Sequence, residues 1–407
     1  MSEKQKKQTT ENSSEKSSKF VSEKAEHKQE KKLQAGSTAA TTNKEKLNKK
    51  QETALSGSVK NLAAEKPRKK DLIKKKSGFT VRKGIVVSVV VTLVVLIAVL
   101  LSIIVAAVVG IVRPAKEPIN TFPDELGLYY EFHEIQAPNG KKMAGWFIPS
   151  QPQNTGDVNE QAQTTVSERT VVLSHSYKDN KNMTLLNITY LARDLADAGY
   201  NVVMFDYSGS GSSEGEGYTF GTRETDELRC VLDYFEQEKN LHQFALAGWS
   251  FGAASALMEG ADDSRVQVII ADSPYVDLYS TFRSDFSRWS GLPEGFSPFV
   301  RAGVEWFSGV DLYRDSPLSA CSRMDGKTLL FIGGDSDEVF GSDCCQTLAA
   351  AVDSSKNSVE VWTVENCTHM EAWTIEEANY RNRVLHTLNV AYGLEQEQSE
   401  TPTESAA

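Results

Sequence analysis

Residues 84–112 read GIVVSVVVTLVVLIAVLLSIIVAAVVGIV, 29 positions without a charge, and no other feature restricts the chain as much. As a helix the run is about 43 Å long, against a hydrocarbon core of about 30 Å. Val and Ile are modest helix formers in water. In lipid, however, the backbone must satisfy its own hydrogen bonds, and a helix does so. A secretory signal has an apolar stretch about half as long, placed near the start of a chain, whereas this one follows 83 residues. A single transmembrane helix over 84–112 is the expectation, with the membrane as the first partner.

Charge differs sharply on the two sides of the run. Residues 1–83 hold 23 Lys and Arg against 10 Asp and Glu, a net of +13; the remaining 324 hold 21 against 45, a net of −24, summing to −11. Lys, Glu, Ser, Thr, Gln and Ala dominate the first segment, whose aromatics are Phe20 and Phe79. It buries too little apolar surface to offset its ordering entropy, so residues 1–83 are expected to be a disordered arm. Lys74, Lys75, Lys76, Arg82 and Lys83 crowd one end of the run, while Arg113 and Lys116 follow the other. The positive-inside tendency puts the arm in the cytoplasm and the rest outside it, anchored in the cell membrane by one pass. The lysines suit anionic headgroups, which explains the basic arm without nucleic acid as a partner. Residues 394–407 read as an acidic disordered tail.

From residue 126 onward, short apolar runs alternate with amphipathic stretches. Residues 129–136 and 143–148 read as a hairpin turning at Asn139-Gly140. Strand candidates follow at 170–173, 201–205, 244–247, 266–271, 328–332 and 358–364. Helix candidates lie at 183–198, 222–238, after Ser250, and near 375–392; residues 150–168 read as a surface loop. This alternation predicts an α/β fold, a mostly parallel sheet with helices on both faces, whose ligands sit at the carboxyl ends of the strands. All five cysteines (Cys230, Cys321, Cys344, Cys345, Cys367) fall here, and an odd count leaves at least one thiol without an intrachain partner. Cys344 and Cys345 read as small buried residues or as one partner each, not as a metal site. The glycosylation patterns at Asn182, Asn187 and Asn366 are taken as chance.

The stretch LAGWSFGAAS places Ser250 between Gly248 and Gly252. Gly-x-Ser-x-Gly arises by chance in roughly one chain in ten of this length, so its surroundings must decide. A strand candidate ends at Gly248 and a helix-compatible run starts at Ser250. A serine on so sharp a turn needs small flanking residues, and the helix N-terminus supplies N–H groups for a developing oxyanion. A base is then needed, and His369 alone of six histidines lies in a loop after the last strand candidate. Between them, LLFIGGDSDEV carries a strand into Asp335 and Asp337, either of which can orient an imidazole. Asp272, past the 266–271 strand, is a further candidate acid. The stretch LSHSYKDN after the third strand suits an oxyanion loop, and FDYSGSGSSEG is a glycine-rich turn without the spacing of a phosphate loop.

Taken together, residues 120–393 resemble the α/β-hydrolase superfamily of serine hydrolases, in the branch of membrane-anchored surface hydrolases and thioesterases. The resemblance implies Ser250 as nucleophile, Asp337 as acid, His369 as base, and the amides of Tyr177 and Phe251 as oxyanion donors. Ser176 and Gly333 stand where relatives usually have Gly and His, Phe340 where they have Pro, and Ser208 where many have Arg. Residues 275–318 would be a cap, rich in aromatics that include Phe282, Trp289, Phe299, Trp306 and Phe307. These either pack the cap on its core or line an apolar acyl pocket, with Arg283, Arg288, Arg301 and Arg314 interspersed. The expected activity is cleavage of esters or thioesters of a small or lipid-like acyl substrate, with no metal or organic cofactor. A peptidase of the same fold and a non-catalytic binding module on that scaffold are the alternatives, and the sequence sets no oligomeric state.

Overall fold

A computed structural model of the chain describes residues 69–151, 167–284, 286–313 and 316–395. Residues 1–68, 152–166, 285, 314–315 (Arg314 among them) and the tail from 396 lie outside the described residues. The chain divides into two compact units, up to Ser88 and from Val89 onward. In the first, the described residues are all helical and begin helix α1 (Lys69–Val112). The basic stretch 69–83 was expected to belong to a disordered arm. It is helical instead, because a helix once nucleated by the apolar run extends readily through Lys, Leu and Ile. Val81–Val112 has a mean hydropathy of 3.3 over its most apolar stretch and is long enough to cross a membrane.

In the second unit, eight strands form one sheet in the order β1-β2-β4-β3-β5-β6-β7-β8. Strands β1 (Glu131–Gln136) and β2 (Lys142–Ile148) are the expected hairpin, with Ile135 opposite Met143, and β2 runs antiparallel to β4 (Asn201–Phe205). The others are parallel: β3 (Arg169–Ser174), β5 (Gln243–Trp249), β6 (Val266–Asp272), β7 (Thr328–Gly334) and β8 (Ser358–Val364). Central strands such as β4 are buried at every position, as a sheet covered on both faces requires.

One face is covered by α3 (Thr222–Lys239) and α4 (Phe251–Asp262), whose Leu228, Leu232, Phe235 and Leu257 join a single core; α2 (Thr189–Asp197) covers the other through Leu191 and Leu195. The cap between β6 and β7 consists of α5 (Leu278–Ser284), α6 (Phe286–Ser290), a 3-10 turn, α7 (Ser297–Ser308) and α8 (Pro317–Cys321). Helix α9 (Cys344–Ala351) follows β7. After β8 come α10 (Ala372–Ile375) and α11 (Glu377–Ala391), where one helix was expected. Helix α2 starts at Thr189 rather than 183. The Asn182 side-chain amide donates to Asn187 Oδ1 and to Thr189 Oγ1, and Met183 and Asn187 take positive φ, so the segment folds as side-chain-held turns.

The end of α1 does not stand apart from this domain. Ile104, Ala107, Val108, Ile111 and Val112, spaced three or four residues apart, are buried or half-buried, while Val105 and Val109 are exposed. The carbonyl of Val112 accepts from the Tyr218 amide at 2.8 Å, and a side chain at Gly217 would strike that same oxygen. At Gly303 of α7, a Cβ would lie 2.6 Å from Val108, so the cap helix meets the stem there at close range.

Candidate active site

Ser250 lies between β5 and α4 with φ 55° and ψ −116°, a conformation that non-glycine residues take up only under constraint. The glycines around it explain how the turn fits. A Cβ at Gly248 would come 2.4 Å from the Gly252 carbonyl, and one at Gly252 would come 2.1 Å from the Ser174 carbonyl. Small flanking residues are thus a steric requirement, and they press the start of α4 against the end of β3. The loop after β3 is fixed there too. His175 is buried, its Nδ1 donating to the Ser176 carbonyl (2.8 Å) and its Nε2 accepting from the Tyr207 amide (3.1 Å).

His369 follows β8 and turns its Nε2 to Ser250 Oγ at 2.9 Å, while its Nδ1 meets Asp337 Oδ2 at 2.8 Å. The other Asp337 oxygen accepts from the amides of Val339 (2.7 Å) and Phe340 (3.1 Å). Burial pushes the Asp337 carboxyl up, but the hydrogen bond and charge of His369 with those amides outweigh it, leaving its pKa below the ordinary value. Two glycines bring the strand ends together, since a Cβ at Gly334 would lie 2.0 Å from the Cys367 carbonyl. Gly333, where relatives usually carry His, leaves room for Cys345, and Phe340 packs edge-on against the His369 ring at 4.8 Å.

The structure thus brings Ser250, His369 and Asp337 into one hydrogen-bonded line and separates the other candidate acids from it. Asp335 is exposed and bonds Ser336. Asp272 is fully buried, takes hydrogen bonds from Ser273 and Tyr380, and through Ser273 holds the Met370 amide, so it braces the loop that carries His369. Burial raises its pKa to about 6. The amides of Tyr177 and Phe251 have no acceptor among the described residues, and their rings lie 5.4 Å apart beside the start of α4.

Two contributors were not anticipated, the Lys181–Asp206 pair and the Tyr177 hydroxyl. Lys181 and Asp206 form a buried ion pair at 2.5 Å that ties the loop after β3 to the glycine-rich turn after β4. The Tyr177 hydroxyl donates to the Ile111 carbonyl of α1, also at 2.5 Å. Trp289, one of the cap aromatics expected over the site, stands 5.9 Å from Phe251 and 6.4 Å from Phe340 and lines a narrow cavity under the cap. The first pair had one sequence signal, an aspartate directly after a strand. The second had none. Among the cap aromatics, Phe282, Phe286 and Trp289 line that cavity, whereas Phe299 and Trp306 point away from the core and are exposed. All five cysteines are free thiols, with Cys344 and Cys345 buried side by side.

A mostly parallel sheet with a serine on the turn between its central strand and the next helix, and a histidine after the last strand, defines an α/β-hydrolase fold. A profile of the Alpha/beta hydrolase family matches residues 171–378. The chain belongs to the alpha/beta hydrolase family, and hydrolysis is the class of reaction that membership supports. It is 27% identical over 168 residues to the uncharacterized protein YfhR of Escherichia coli K12, covering 40% of this chain and 54% of that one. To the uncharacterized protein YqkD of Bacillus subtilis it is 25% identical over 235 residues, 54% of this chain and 71% of the other. The match thus spans about half the length of YfhR and more of YqkD. The Pyrococcus furiosus esterase Pf2001 superposes with a TM-score of 0.56 at 24% identity, over 69% of this chain and 98% of the esterase, a likeness of fold.

Proposed function

We propose that the chain is a membrane-anchored serine hydrolase that cleaves carboxylic esters or thioesters through an acyl-enzyme. The observation that carries this reading is the line from Ser250 Oγ through His369 to Asp337, at 2.9 and 2.8 Å. His369 takes the serine proton as Oγ attacks the acyl carbon, and Asp337 holds the imidazole in the right tautomer and stabilises the imidazolium. The developing oxyanion is met by the free amides of Tyr177 and Phe251 and by the positive end of α4. His369 then returns the proton to the departing alcohol or thiol. Water repeats the sequence, its hydroxyl going to the acyl carbon and its proton back to Ser250 by way of His369.

Anchoring rests on the length and hydropathy of Val81–Val112. The excess of lysine and arginine before it places the arm in the cytoplasm and the hydrolase domain outside, in a single pass of the cell membrane.

The full chain in detergent, as wild type and Ser250→Ala, would be tested on nitrophenyl esters from acetate to palmitate, on the matching anilides, and with a fluorophosphonate probe. Turnover and labelling that vanish with Ser250 are expected, with esters far ahead of anilides. Preference for the anilides would make the protein a peptidase. Folded wild type that is as silent as the mutant would leave a binding module.

A further inference from the structure

The stem and the cap together point to where the substrate comes from. A hydrocarbon core takes up about 20 helical residues, so a span beginning after Lys83 is used up near Ile103. The buried face of the stem starts at the next residue, Ile104. Helix α7 therefore touches the stem, at Gly303 against Val108, about one helical turn beyond the hydrocarbon boundary. This cap helix is apolar on two faces. Val300 and Val304 face the core, while Phe299 and Trp306 are 61% and 80% exposed, with Phe307 beside them. A second apolar face calls for a second apolar surrounding, and indole rings favour the membrane–water interface.

Behind α7 lies the narrow cavity under the cap. Its walls include Phe282, Phe286 and Trp289 from the cap and Ile111 from the stem itself, with Arg283 and Arg301 among the lining residues. Neither arginine pairs with a carboxylate among the described residues; Arg301 lies over the Tyr279 ring at 5.4 Å. An apolar chamber walled by the membrane helix, with two cations among its lining, suits an acyl chain that leaves a leaflet while its polar head stays among phosphates.

We infer that α7 beds its Phe299, Trp306 and Phe307 face in the leaflet next to the domain, and that the substrate is a long-chain acyl ester drawn from that leaflet into the stem–cap cavity. This deepens the hydrolase reading above and rests on it. The test uses full-length protein reconstituted in phosphatidylcholine vesicles with two fluorogenic esters, soluble methylumbelliferyl acetate and vesicle-embedded methylumbelliferyl oleate. Replacing Phe299, Trp306 and Phe307 together by Ser should lower oleate turnover by about tenfold or more, with acetate turnover unchanged. Brominated lipids should quench Trp306, read as the fluorescence difference between wild type and Trp306→Phe.

An unchanged ratio of oleate to acetate turnover in the triple variant would overturn the substrate assignment while the hydrolase reading stands. Silence of the wild type on both esters would remove the hydrolase reading and the substrate with it. Absence of quenching at Trp306 would overturn the leaflet contact whatever the activity, and would leave a second copy or a soluble partner to cover that face.

Discussion

The three side chains of the hydrogen-bonded line leave three different strand ends, and backbone contacts fix each of them. Asp337 is nearly enclosed, yet its carboxylate is held ionised by His369 and two amides, so Asp337→Asn removes the acceptor that sets the imidazole tautomer. A fall in kcat of about 10⁴-fold is expected, with a matching loss of fluorophosphonate labelling rate and an unchanged melting profile. Asp272 behaves oppositely. Its folded-state pKa of about 6 lies above the unfolded value, so its contribution to stability is complete below about pH 4 and is lost as pH rises through 6. Asp272→Asn should therefore gain on wild type by about 3 kcal/mol more at pH 8 than at pH 4, read from thermal melts of the solubilised chain. A gain that does not vary with pH would show that Asp272 is not the titrating group. Ser250, Asp337 and His369 were legible in the sequence because sterics and strand order dictate where such residues can stand. Choosing Asp337 over Asp335 needed the resemblance. The bracing role of Asp272 was not legible, because nothing in a sequence says which of several strand-end carboxylates faces an imidazole.

Among the elements, the strands were read closely, since buried parallel strands are short runs of Val, Ile and Leu bounded by turn residues. Helix α2 was read too long because amphipathic spacing continues into 183–188, where asparagine side chains capture the turn. The docking of the stem was invisible for a different reason. A helix that is apolar all round carries no polar face to mark which side packs on protein and which meets lipid. Val108, Ile111 and Val112 are nonetheless buried, each worth on the order of 1.5–3 kcal/mol. A chain beginning at residue 104 should accordingly melt roughly 10 °C above one beginning at 114, both in detergent. Equal melting temperatures would mean that the stem contributes no packing to the domain.

At the scale of the whole molecule, the division into a basic arm, an apolar span and an acidic folded part was plain from composition alone, and the close seating of span on fold was not. The asymmetry of charge predicts the sidedness. Protease added to intact cells should digest the hydrolase domain and spare an epitope placed in residues 1–68; destruction of the epitope with the domain intact would invert the assignment. The seating of Val112 has one more consequence. Many anchored enzymes ride on a flexible tether and sweep a hemisphere whose radius the linker sets. Here the helix runs into the fold with no slack, the Val112 carbonyl already bonded to Tyr218. If the span crosses a bilayer as proposed, Ser250 keeps a constant height above the surface, and its search for substrate is two-dimensional, governed by lateral diffusion and by how crowded the plane is.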